Sequence, residues 1–243
     1  MPGPNPRLVS LHVWGDFACF TRPEHKVERM SYPVPTPSAA RGIFEAVFYE
    51  PEMYYIIHSI GIVKRSRWFS LARNEVKYAI SSEKVEAAMR SGGLMAPMYC
   101  GASSEAISQR NMIGLADVDY VITAEIRLTA RAKPPRANLA KYYDMLIDRA
   151  QKGKVFHRPF FGCREFPVSF EYLDDPASVP LCASEWASED LGLMLYDVFD
   201  PFDRATGLSQ KPDPIFFRAR VQDARINTDP YHADLFRPDG VSS

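Results

Sequence analysis

The sequence predicts an α+β fold: a ferredoxin-like body with insertions, followed by a small C-terminal antiparallel β-sheet. Three observations carry this. Stretches of helical and of two-residue periodicity follow one another as strand, helix, two strands, an insertion, a strand, a helix and further strands, a split βαβ order. Residues 118–131 alternate cleanly, as a strand with one buried face does. After Phe170 the chain turns acidic and offers two runs of β-formers. The expected division is a body over residues 1–172 and a β appendage over 173–243.

The elements follow in order. Leu8 to Trp14 alternates around Val9, Leu11 and Val13, and Gly15-Asp16 is expected to close it. Ser31 to Pro37 reads as extended, because a residue before proline is pushed out of the α region. Thr36 or Ser38 can cap a helix whose first turn tolerates Pro37, running to about Tyr49 and burying Ile43, Ala46 and Val47. Met53 to Lys64 and Arg67 to Ile80 read as strands, and Ser81 to Arg90 as a short helix. Residues 92–110 read as loop-rich. Val118 to Arg131 turns Tyr120, Ile122, Ala124 and Ile126 inward, with Asp119, Thr123, Glu125 and Arg127 outward, until Pro134-Pro135 breaks it.

Residues 138–170 organise the rest. Leu139, Tyr142, Tyr143, Leu146 and Ile147 form one helical stripe, with Asn138 as N-cap and Gly153 as stop. Val155 to Phe161 and the residues from Glu165 read as two extended runs about a bend at Gly162. Leu191 to Phe199 and Pro214 to Arg225 read as two further strands, and the residues from Asp229 as a frayed end.

Composition narrows the function. With 46% hydrophobic and 24% charged residues, the chain supports a globular core and is not wholesale disordered. No apolar run reaches the length of a membrane span, and the first residues lack a signal-peptide core, so a cytoplasmic, membrane-free protein is expected. Cys19, Cys100, Cys163 and Cys182 stand far apart with no CxxC pair, which argues against zinc and fits a reducing compartment. No nucleotide-binding, zincin or serine-hydrolase motif is visible, so neither a cofactor nor a metal is expected.

The net charge of −1 hides an asymmetry: residues 1–166 hold 23 Lys/Arg against 16 Asp/Glu, and residues 167–243 hold 6 against 14. Ten of the basic residues fall between Arg127 and Arg164. A cationic strip interleaved with Tyr, Phe and His suits a phosphate chain with unstacked bases. Its candidate contacts are Arg131, Lys133, Arg136, His157, Arg158 and Arg164. The plainer alternative is a solvated helix face beside a buried strand. His12 and His58 lie in strands and read as structural; of the five histidines only His157 lies in the strip.

Cleaving RNA requires no metal, because the 2′-hydroxyl can attack its own phosphate if a base takes its proton and a cation stabilises the dianionic transition state. Lys141 and Tyr142, in the first turn of a basic helix, can supply both parts. The plainer reading makes Lys141 a solvated lysine and Tyr142 a packing residue.

Four separated motifs add a resemblance. GDFACFTRPEHKVERMSYPVPTPSAARGIFEAVFYEP, RNEVKY, the SQRN at 108–111 and FFGCREFP together resemble the type I-C (Dvulg subtype) branch of the Cas-five family, CRISPR-associated proteins of the RAMP superfamily. The resemblance implies an RRM-like body and a metal-independent endoribonuclease that cuts precursor CRISPR RNA in its repeat hairpin. It also implies retention of the 5′ handle and assembly with other subunits of the interference complex. A double-stranded-DNA-binding role is compatible with it, as is a subunit that grips the handle without cutting. The family's proposed site is a Tyr at the end of the first helix and a Lys-His pair in the second. Here Phe48 stands at the first position with Tyr49 next to it, and Lys141-Tyr142 at the pair, so the resemblance points to Lys141, Tyr142 and Tyr49.

Overall fold

The structure is a computed structural model that describes residues 6–77, 80–93, 106–208 and 211–237. It is an α+β fold built on a ten-stranded, largely antiparallel sheet. Its spine is a strand of 22 residues, β5 (Ile107–Leu128). Residues 118–128 of β5 lie between β1 (Leu8–Ala18) and β3 (Met53–Lys64), antiparallel to both, and β6 (Ser169–Leu173) closes the far side of β1. The body therefore reads β3–β5–β1–β6 across the sheet. Residues 107–116 of β5 pair instead with β4 (Arg67–Val76) and run parallel to β2 (Arg29–Met30).

Two helices pack on one face. α1 (Pro37–Val47) starts where Thr36 accepts a hydrogen bond from the Ala39 N–H, so the cap is Thr36. Its buried stripe of Ile43, Phe44 and Val47 meets the sheet, with the Phe44 ring tilted against Tyr55 at 5.4 Å. The next helix, α2 (Ser82–Ser91), has no buried residue. α3 (Leu139–Gln151) buries Tyr142, Tyr143, Leu146 and Ala150. Under both packed helices lies a core of Val9, Leu11, Val13, Ile60, Ile62, Tyr120, Ile122 and Ile126. Burying each such side chain stabilises the fold by roughly 1.5–3 kcal/mol.

Several expectations change. β1 runs through Gly15 to Ala18, because Gly15 leaves room for the Pro167 carbonyl and the Phe161 ring. α1 stops at Val47, and Phe48 turns extended so that its side chain is buried. The long strand begins at Ile107 inside the stretch read as loop; its partner β4 supplies the register. Thr123 and Glu125, read as outward, are buried. Ser10 bonds Thr123 at 2.9 Å, His12 sits between Asp119 (2.7 Å) and Glu171 (2.8 Å), and His58 bonds Glu125 at 3.0 Å. Both strand histidines thus tie strands together across the second face of the sheet.

The acidic C-terminal part extends the same sheet. β7 (Ser188–Asp197) pairs with β8 (Ile215–Gln222), β8 with β9 (Arg225–Asn227), and β9 with β3. The chain does not fray at Asp229, which is buried and bonds His232 at 2.9 Å. A short β10 (Leu235–Phe236) follows on β8. Among the described residues no helix is long and apolar enough to cross a membrane.

Candidate nucleic-acid interface

The site grows from the first turn of α3. Asn138 caps the helix through the Ala140 N–H at 2.9 Å. One turn on, both tyrosines point inward. Tyr143 takes the Ile126 N–H at 2.9 Å and donates to the Arg7 carbonyl at 2.5 Å. Tyr142 is buried, donates to Glu52 Oε2 at 2.8 Å and lies 6.1 Å from the Phe48 ring. Burial and the Glu52 carboxylate push its hydroxyl up to about 12. Lys141 is exposed, and its ammonium has no protein partner among the described residues.

The segment after α3 is not the strand its β-formers suggest. Gly153 turns the chain with φ +62°, and the N–H groups of Phe156 and His157 both donate to the Ala46 carbonyl, at 2.7 and 3.4 Å. Arg149 Nε donates to the Val47 carbonyl at 2.7 Å. These are orphan carbonyls at the C-terminal end of α1, so the segment serves as that helix's cap. Phe161 then enters the core, 6.0 Å from both Phe20 and Tyr120. Gly162 follows with φ +76°, and a Cβ there would lie 2.1 Å from the Cys19 carbonyl oxygen. Phe156 stays outside, 83% exposed.

This capping leaves a cleft of about 450 Å³ beside the end of α1. Tyr49, Arg131, Phe156 and His157 line it. Arg41, Glu45 and Arg204 line it too, and are joined in an ion network in which Arg41 pairs with Glu45 (2.5 Å) and with Asp197 (3.1 Å), and Arg204 pairs with the same Asp197 (2.9 Å). The stem of Arg131 passes over Gly207, where a Cβ would lie 2.9 Å from Arg131 Cγ. A second cavity of about 430 Å³ lies beyond Glu45 and His157, lined by Thr21, Thr36, Ser38 and Phe160 among others.

The strip divides in two. Arg127 is bound to Glu125 and Tyr231, Arg149 caps α1, and Lys152 is paired with Asp148. Lys133, Arg136, Arg158 and Arg164 are exposed, and none has an ion pair among the described residues. The structure thus brings Tyr49, Arg131 and His157 to one cleft and leaves Lys141 and Tyr142 outside its lining. Sequence reasoning missed Phe156 and the Arg41–Asp197–Arg204 ion network. A phenylalanine in a run of β-formers gives no sign that it will be left in solvent. Cys19, Cys163 and Cys182 are free thiols, and Cys100 lies outside the described residues.

The chain is thus an α+β sheet protein with a cleft holding one arginine, Arg131, that is unpaired among the described residues, and with further exposed cations outside it. The family model described as CRISPR-associated protein (Cas_Cas5), of the Cas5d type, matches residues 8–229. The chain belongs to this family. It is 40% identical over 229 residues to a protein of Mannheimia succiniciproducens named CRISPR pre-crRNA endoribonuclease Cas5d, covering 93% of this chain and 96% of that one. A protein of the same name from Thermus thermophilus is 37% identical over 227 residues, covering 88% of each. A crystal structure of a CRISPR-associated protein superposes with a TM-score of 0.64 at 19% identity, covering 94% of this chain and 95% of that one. A functionally uncharacterized protein from Streptococcus mutans gives 0.63 at 17%, with 94% and 96% covered. The last two likenesses concern the fold alone.

Proposed function

We propose that this chain is a metal-independent endoribonuclease that cuts precursor CRISPR RNA within the repeat hairpin and then holds the 5′ handle. The observation that carries the reading is the near full-length 40% identity to a protein named for that activity. The free cations Arg131, Lys133, Arg136, Lys141, Arg158 and Arg164 supply the electrostatic footprint for a phosphate chain. Exposed Phe156 supplies a face on which an unstacked base can lie. The chemistry is attack of a 2′-hydroxyl on the adjacent phosphate, a reaction of proton transfer and charge stabilisation by side chains. In this reading Tyr49 is a proton-handling residue, Lys141 is a cation on the RNA path, and Tyr142 is a packing residue.

The order β3–β5–β1–β6, with α1 and α3 on one face, supports a ferredoxin-like body. Residues 1–172 then form the RNA-binding unit, and 173–243 a β appendage joined to it at the β9–β3 edge. Assembly with other interference-complex subunits in the cytoplasm, and contact with double-stranded DNA there, belong to the same reading.

The second reading is a subunit that grips the handle and cuts nothing. The packing of Phe48 against Tyr142 favours it, because both positions to which the resemblance assigns proton carriers are buried. Incubating end-labelled repeat RNA with the protein in EDTA separates the two. A single specific product supports the nuclease; a shifted complex without product supports the binding subunit.

A further inference from the structure

The two cavities at the end of α1 share only Glu45 and His157 among their lining residues. Glu45 is committed to Arg41 at 2.5 Å. The His157 ring has no hydrogen bond or ion pair to the protein among the described residues; only the Phe156 and Phe160 rings lie near it, at 6.0 and 6.5 Å. Tyr49, 52% exposed in the first cavity, is likewise free of protein hydrogen bonds among the described residues. The backbone at His157 is held in place, because the Phe156 and His157 N–H groups both donate to the Ala46 carbonyl. An exposed imidazole with both nitrogens available thus stands on the wall between two cavities of nucleoside size. One offers aromatic rings and Arg131, the other the hydroxyls of Thr21, Thr36 and Ser38.

Resting on the nuclease reading above, we propose that two consecutive nucleosides of the RNA occupy these cavities, one in each, with the scissile phosphate at His157, and that His157 is a catalytic residue of the cleavage. His157 takes the proton of the 2′-hydroxyl as that oxygen bonds to phosphorus. The P–O5′ bond breaks, and the Tyr49 phenol gives its proton to the departing 5′-oxygen. The products are a 2′,3′-cyclic phosphate and a 5′-hydroxyl, and proton exchange with water restores both side chains. The charged groups that line the first cavity together with His157 are Glu45 and Arg41 of α1, Arg131 after β5 and Arg204 after β7. Of these Arg131 has no ion pair among the described residues and is the cation that offsets the charge building on the phosphate.

The test is single-turnover cleavage of repeat RNA at saturating protein, with affinity measured on the same RNA carrying a 2′-deoxy nucleotide at the cut. His157→Ala should lower the rate by about 10²–10⁴-fold, the usual worth of general acid–base catalysis. Affinity should stay within about threefold, and imidazole added to the buffer should restore part of the rate. Tyr49→Phe should lower the rate without a change in affinity. Circular dichroism of both variants should match the unaltered protein, since both side chains are exposed. An unaltered protein that cleaves, with His157→Ala cleaving as fast or losing rate only in step with affinity, overturns this assignment. An unaltered protein that binds repeat RNA and never cleaves overturns instead the nuclease reading on which it rests.

Discussion

The rings of Phe48 and Tyr142 lie 6.1 Å apart, at the end of α1 and the start of α3, with the Tyr142 hydroxyl donated to Glu52. These are the two positions to which the family resemblance assigns a tyrosine and a histidine. The fold brings them together, yet in this chain they form a packed aromatic pair.

Tyr142→Phe therefore keeps the ring contact and removes one hydrogen bond to a carboxylate. Stability should fall by about 1–3 kcal/mol, and the cleavage rate should not change. Folding raises the Tyr142 pKa from its ordinary 10 to about 12, so it favours the protonated phenol. The stability linked to that proton is complete below pH 10 and is lost as pH rises through 12. Urea titrations at pH 9 and pH 12 should show a smaller alkaline loss in the variant than in the unaltered protein. A slowed cleavage rate with unchanged stability would return Tyr142 to the chemistry.

Gly162 makes a sharper stability prediction. It combines φ +76° with a site where a Cβ would collide with the Cys19 backbone. Gly162→Ala should cost at least about 2 kcal/mol, the upper range for a strained non-glycine residue plus a clash that no rotamer relieves. Gly153 is the control: its φ is +62°, but the space around it is open. Gly153→Ala should cost only about 1–2 kcal/mol. Equal costs in chemical denaturation would remove the close-approach argument for Gly162.

These positions also show how far the sequence can be read. The Thr36 and Asn138 caps, the Gly153 stop, the Gly162 bend and the bounds of β3 are local signals, legible because capping and turn chemistry act within a few residues. Residues 155–161 form no strand: Val155, Phe156 and Phe160 have β-former chemistry, but the Phe156 and His157 N–H groups go to the Ala46 carbonyl, more than a hundred residues earlier, and Phe160 bridges Pro167. The start of β5 at Ile107 depends in the same way on β4. Basic and aromatic candidates could be collected from the sequence. Which of them share a cleft could not, because α1, β5 and the loop after α3 converge only in three dimensions.

Lys141 is exposed and lines neither cavity, so it should grip a phosphate rather than meet the transition state. Lys141→Ala should weaken RNA binding and reduce the log–log salt slope by about 0.7, the share of one single-strand phosphate contact. The rate at saturating protein should hold. Loss of rate with affinity intact would place Lys141 at the reacting phosphate.

Phe156, held outside by two backbone bonds to Ala46, should act as a base-stacking platform. Phe156→Ala should cost about 1–3 kcal/mol of RNA binding, with no change in denaturation midpoint. Repeat RNAs carrying an abasic site at each position in turn should identify one nucleotide whose loss no longer matters in the variant. Additive losses at every position would deny Phe156 a base partner.

In the proposed cleavage a 2′-hydroxyl, activated by side chains alone, is the nucleophile. Its most direct test is a repeat RNA with a single 2′-deoxy substitution at the nucleotide before the cut, incubated in EDTA beside the unmodified RNA, with product ends analysed by mass. The unmodified RNA should be cleaved to a 2′,3′-cyclic phosphate, and the deoxy RNA should bind without being cleaved. Cleavage of the deoxy RNA at the same bond, or cleavage of the unmodified RNA only after a divalent metal is restored, would contradict this mechanism.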